Sequence, residues 1–442
     1  MRRLSLFLFL FFSLVTTLVV TSFADYLKQV PQIETLSNGL KVVWFEDTYV
    51  PVLDVILTIQ NRESGRDLDS RLFASIKEHS IRRPHSINSV GNLVSLSTHG
   101  LSAQTDDLLE TINEFLSPIK MTPKQFTEEQ HLFLDDWKLD QEDSVSHVRA
   151  VMHELLSNQR LNSGELLRLK MSDVTAFQKR VVTPENSVLA VVGKVDRALF
   201  REKIINKLTF GSEGAHSSDK ALKKTPKKTA CLPKDVGKET VWIIPNSESE
   251  KSYVRVGFCA PAMKSKDYYT LLVANALMGD FSSSGLNTLI RDKLGLAFNI
   301  QSELEYDVGH SVFSVSASTQ TQAVGSLLKN IEVFLKTKPL KAPDVTLVKT
   351  VKDYLLNRYP VVLTSVNMVA SSWLSGHLQG LDANFLSHFE DEINAVTPER
   401  VLEVIQEYTN YNSLVRVVSG NEKNLKQSLK AHGYSAIVLT QD

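Results

Sequence analysis

Net charge is nearly absent from this sequence: 49 lysines and arginines stand against 50 aspartates and glutamates, leaving -1. Without a basic or acidic surplus there is no long-range field to gather nucleic acid or to seat the chain on an acidic surface. Cysteine is equally scarce. The chain has two, Cys231 and Cys259, too far apart for a cysteine zinc or redox motif. An oxidising compartment permits a disulfide between them, and a buried free thiol fits as well. No cysteine follows the N-terminal apolar run, which argues against a lipid-anchored form.

What is present is the composition of a folded chain, 43% hydrophobic and 22% charged over 442 residues, enough for two or three domains. Met1, Arg2 and Arg3 precede the run LSLFLFLFFSLVTTLVV, which ends in the small-residue pattern Ser22-Phe23-Ala24. A basic start, an apolar segment and small residues at the cleavage positions predict a secretory signal over 1–24, cut after Ala24. The alternative is an uncleaved anchor, since the run approaches spanning length. Export would place the mature chain in the periplasm if the source is bacterial, with no membrane association after cleavage.

Between Thr209 and Lys238 apolar periodicity stops and lysine, serine and glycine take over, which predicts a solvated linker over 211–238. The segments on either side, 25–210 and 239–442, echo each other. Each opens with strands: 39–47 and 52–60 in the first, 240–245 and 253–261 in the second. Each closes with a capped helical pattern followed by an apolar strand, 183-TPENSVLAVVGKVD-196 and 409-TNYNSLVRVVSGNE-422, in which Asn-Ser opens the strand and glycine ends it. The expected fold class is therefore α+β: two homologous domains, each an open, largely antiparallel sheet with helices packed on one face.

The segment 267–319 contains a small-residue turn (Ser282 to Gly285), a helix ending at Arg291, and Gly295-Leu296-Ala297-Phe298 opening a strand. With the opening hairpin 36-LSNGLKVVWFEDTYVPVLDV-55, this resembles the pitrilysin/insulinase-type zinc peptidases, which include the mitochondrial processing peptidases, over essentially the whole mature chain. That family carries a helical His-x-x-Glu-His motif. Its two histidines, four residues apart, share a helix face and one zinc, and the glutamate between them activates the bound water. Here 74-ASIKEHS-80 puts Ser75 at the first histidine, Glu78 at the general base and His79 at the second histidine. Downstream, the resemblance places Asp136 on the third ligand and Glu129 on its acidic companion. Read without that context, the same stretch is an ordinary solvated helix turn.

Serine is a poor substitute for a neutral imidazole, so the metal set (His79, Asp136) is read as vestigial, any zinc as weak, and no cofactor is expected on the chain's own account. His85 and His99 lie in the altered stretch and are replacement ligands only in principle. The segment between His79 and Asp136 is shorter than the family's, and the edge strand where substrate pairs by β-augmentation is expected to be missing. On the substrate side, Arg291 matches a substrate-binding arginine. Phe298 replaces the tyrosine whose hydroxyl would assist the oxyanion and is expected to pack into the core. Tyr253 and Tyr306 lie nearby but off the motif.

The functional reading that follows is a non-catalytic subunit. It would bind peptide or unfolded protein and complete the chamber of an intact zinc-peptidase homologue, as a heterodimer in which the partner holds the zinc. A stand-alone peptide-binding scaffold comes next, and an active zinc endopeptidase with altered ligands last.

Overall fold

The computed structural model describes residues 31–46, 51–61, 67–90, 92–157, 163–210, 239–247, 249–307, 310–337, 341–363, 365–408 and 414–439. The signal 1–24 and the linker 211–238, with Cys231, lie outside them. Among the described residues no helix is long and apolar enough to cross a membrane.

The first half forms β1 (Gln32–Thr35), β2 (Lys41–Glu46), β3 (Val52–Gln60), helix α1 (Asp67–Ser80), β4 (Ser86–Val90), β5 (Leu93–Leu101), and helices α2 (Thr105–Leu116), α3 (Pro123–Glu142), α4 (Ser144–Ser157), α5 (Ser163–Arg168) and α6 (Met171–Val181). It returns through β6 (Ser187–Gly193) and ends in α7 (Arg197–Lys207). The second half runs β7 (Thr240–Pro245), β8 (Lys251–Ala260), α8 (Tyr268–Asn275), β9 (Asn299–Asp307), β10 (His310–Gln320), then α9 (Val324–Lys336), α10 (Val345–Val362), α11 (Val366–Leu378), α12 (Phe389–Ala395) and α13 (Pro398–Tyr408). It closes with β11 (Val415–Gly420), α14 (Glu422–Ala431) and β12 (Ser435–Val438).

Two six-stranded sheets result, in the orders β1-β2-β6-β3-β5-β4 and β12-β7-β11-β8-β10-β9. From the second position onward they match strand for strand. β6 and β11 each lie parallel to the strand that opens their half (β2 and β7), and the remaining pairings across β3-β5-β4 and β8-β10-β9 are antiparallel. Gly193 and Gly420 end the central strands at positive φ, +122° and +156°. A side chain on Gly193 would meet the Val52 carbonyl oxygen at 2.1 Å, so the repeat needs glycine there.

Aligning these glycines carries the register across both sheets. Leu189 and Arg416 become equivalent, then their partners Leu57 and Val256, then Leu96 and Val315, and finally Ile87 and Ser302 on the edge strands.

β6 is buried along its whole length, the pattern of a strand covered on both faces. One face of the first sheet, with Val42, Trp44, Leu53, Val55, Leu57, Leu189 and Val191, packs on helices of its own half. The alternate residues Val43, Phe45, Ile56, Val188, Ala190 and Val192 pack on Val369, Ala370, Trp373 and Leu374 of α11. The second half therefore lends a helix to the first.

The exchange is reciprocal. α4 lays Val148, Val151, Met152 and Leu156 on Ile244, Val312, Val415 and Val417 of the second sheet. Gly257 admits it, since a Cβ there would stand 2.7 Å from the Met152 sulfur. Arg149 and His153 of α4 also reach Glu305 of β9, which in turn pairs with the buried Arg255. So the helices expected on one face of each sheet are there, and the other face is covered from across the chain.

Candidate functional site

α1 is fixed by Leu72, Phe73, Ala74 and Ile76, all buried in the first core. Its opposite side turns Glu78 and His79 outward. Lys77, between these faces, is 2% exposed. Its ammonium donates to the carbonyls of Glu114 (3.2 Å) and Ser117 (2.6 Å) at the end of α2. Burial pushes its pKa down to about 8. Sequence reasoning passed over Lys77, because a lysine beside glutamate on a helix reads as surface.

α3 starts at a capping box in which the Thr122 hydroxyl and the Gln125 amide exchange hydrogen bonds with each other's backbone N–H. The helix brings Glu129 to His79, with Oε2 at 2.7 Å from Nδ1. A carboxylate holding one imidazole nitrogen is how a metal-bound histidine is commonly oriented, but the other donors are not assembled around it. Ser75 offers a hydroxyl. Asp136 is exposed and without a hydrogen bond or ion pair among the described residues. No group of three or more histidine, cysteine, aspartate or glutamate side chains capable of holding a metal ion occurs among the described residues. This donor set does not fit a catalytic zinc.

Glu78 is engaged elsewhere. Its Oε2 accepts the Ile87 backbone N–H at 2.9 Å and lies 3.5 Å from His85 Nε2. His85 is buried, with Nδ1 2.7 Å from the Arg83 carbonyl oxygen. His99 pairs with Asp54 at 2.6 Å, on neighbouring strands. Neither histidine joins His79 as a ligand.

Two expectations are corrected here. The edge strand is present as β4, paired antiparallel to β5; its Ser-Ile-Asn-Ser-Val sequence carries too little β-branched and aromatic content to announce a strand. Phe298 is not core: it is 55% exposed, with the Lys251 ammonium 4.9 Å from its ring centroid. No nearby tyrosine replaces the missing hydroxyl. Tyr306 is half-buried, edge-on to Tyr268 at 5.3 Å, and Tyr253 packs under α4. Arg291 is exposed and donates to Asp292 (2.8 Å) and to the Ser282 carbonyl (3.3 Å). The hydrogen bond with Asp292 raises its already high pKa. Cys259 is disulfide-bonded.

Residues 168–338 match the family model of the peptidase M16 inactive domain. The match begins at the end of α5, crosses the linker and stops after α9, leaving out Ser75, Glu78, His79 and Asp136. No curated protein matches the chain. Among solved structures, the chain is similar to a peptidase M16 inactive domain from Pseudomonas fluorescens (TM-score 0.71, 14% identity, 88% of this chain and 98% of that one). It is equally similar to a protease from Helicobacter pylori (TM-score 0.71, 16% identity, 88% and 99%). A chain of Complex III2 from Candida albicans follows (TM-score 0.70, 13% identity, 92% and 100%). At these identities the structures establish a shared fold, and the similarity of residues 168–338 to the peptidase M16 inactive domain supports the insulinase/pitrilysin-type resemblance.

Proposed function

We propose that this chain is an exported, non-catalytic member of that family, which binds extended peptide and completes the chamber of a zinc-bearing partner. The observation that carries the reading is the dispersal of the catalytic set. Ser75 stands where an imidazole should, Glu78 is bonded to a strand amide, and Asp136 is exposed with no hydrogen bond or ion pair among the described residues. A base without a metal-bound water has nothing to activate. The fold match to a protease and to a chain of a multi-subunit complex supports descent from a peptidase and a life in an assembly. The signal-like N-terminus and the disulfide at Cys259 support an oxidising compartment, the periplasm in a bacterium.

In this role Arg291 binds rather than cuts. Its guanidinium is exposed, and exchanging the neighbouring Asp292 carboxylate for a peptide carbonyl or carboxylate would cost little. The test is a cleavage assay with an intact His-x-x-Glu-His homologue from the same genome. Replacing the partner's glutamate base abolishes cleavage, and Arg291→Ala in this chain lowers it while leaving the circular dichroism spectrum unchanged. Cleavage that survives loss of the partner's base would make this chain the catalyst and overturn the proposal.

A further inference from the structure

We propose that Glu78 is a removable cap on the free edge of the first sheet, and that displacing its carboxylate is the step that admits an extended peptide. This rests on the peptide-binding reading above. β4 is the terminal strand, hydrogen-bonded on one side to β5. Terminal strands present unused backbone groups to any extended chain. Ile87 donates its N–H to the Glu78 carboxylate at 2.9 Å, so this group is already taken. A peptide strand adding to β4 has to supply a carbonyl in place of that carboxylate oxygen.

The second sheet shows why the cap is a device and not merely a contact. Ser302, the register equivalent of Ile87, sits under main chain. A Cβ on Gly279 would lie 2.7 Å from the Ser302 nitrogen, and the Ser302 hydroxyl donates to Asn275 Oδ1 at 2.8 Å and is 3.1 Å from the Asn275 carbonyl oxygen. That edge opens only if the helix end moves. At the first sheet the equivalent cover is one exposed side chain that can rotate into water. Behind it stands His85, whose buried Nε2 has no hydrogen-bond partner and lies 3.5 Å from the same carboxylate oxygen. Among the described residues, main chain is set against one of the two equivalent edges and the Glu78 carboxylate against the other.

The partner this predicts is an extended segment read through its main chain. The probe is a short, proline-free, fluorescein-labelled peptide of alternating threonine and valine with lysines at both ends, titrated by fluorescence polarisation. Alongside it, amide exchange at Ile87 is followed in full-length protein. Glu78→Ala raises peptide affinity about tenfold, the factor for exchanging one charge-assisted bond at an exposed site, and speeds Ile87 exchange by a similar factor. Glu78→Gln keeps an acceptor and moves both by less than about threefold. N-methylating alternate residues of the peptide erases the gain.

Unchanged affinity and unchanged exchange in Glu78→Ala would overturn the cap while leaving peptide binding standing. Faster exchange with no peptide bound by any variant would overturn the admission step, and with it the peptide-binding reading itself.

Discussion

Trp373→Ala tests whether the two halves fold as one body. Trp373 is fully buried on α11, edge-on to Phe45 of the first sheet at 5.9 Å and stacked on His377 at 4.5 Å. Its indole N–H donates to the Ala383 carbonyl at 2.9 Å. Truncating a buried tryptophan costs about 3–5 kcal/mol, and the orphaned carbonyl adds about 1 kcal/mol. Because α11 covers β2, β3 and β6, this loss should appear in the first half although the substitution lies in the second. The assay is hydrogen exchange resolved by strand. Protection in β2 and β6 should fall by about a thousand-fold to about twenty-thousand-fold, with β8 and β10 changing far less. Trp373→Phe keeps the ring, loses the N–H, and should cost about 1–2 kcal/mol. Unchanged protection in β2 and β6, with fast exchange confined to α11, would refute the reciprocal covering.

Three further outcomes follow, two of them from charged side chains buried in the cores. Lys77 has a folded pKa of about 8 against about 10.4 when unfolded. The unfolded chain therefore holds more protons between these values, and stability measured by urea midpoint should climb over that window by up to roughly 3 kcal/mol; Lys77→Met should flatten the climb. Glu332 is held by Arg416 at 2.6 Å and by Tyr434 at 2.8 Å in the second core. Burial pushes its carboxyl up, but Arg416, Lys336 and Tyr434 outweigh burial and leave it below the ordinary range. Arg416→Leu should cost about 3–5 kcal/mol at neutral pH, and the deficit should shrink in acid as the stranded carboxylate takes a proton. Ser75→His should tighten zinc binding at least about tenfold, through an imidazole four residues from His79, measured by competition with a chromogenic chelator. It should not yield a brisk endopeptidase, because Asp136 is one methylene shorter than a ligand glutamate and Phe298 brings no hydroxyl.

The duplication was legible because it rests on local signals. The run Val52–Gln60 and the run Thr240–Pro245 are strands to the residue, and Gly193 and Gly420 mark equivalent ends. The exchange of α4 and α11 was not legible. An apolar helix face shows that it is buried, never against which sheet, and the covering sheet lies in the other half of the chain. β4 was hidden by its serines and asparagine, since its strand state is set by pairing with β5 and by Glu78, not by propensity. Phe298 misled in the opposite sense: an aromatic beside an apolar strand reads as core, yet here it lies on the surface under a lysine. In α1 the motif positions could be read only through the family resemblance, and their partners, Glu129 for His79 and Ile87 for Glu78, are set by how α3 and β4 pack.

The central claim is that Ser75, Glu78, His79 and Asp136 no longer form a catalytic metal site. Its most direct test is the zinc content of the purified full-length chain, after dialysis against metal-free buffer, by plasma mass spectrometry. The account predicts well under one zinc per chain, unchanged by His79→Ala. One zinc per chain, lost when His79 is replaced by alanine, would contradict it.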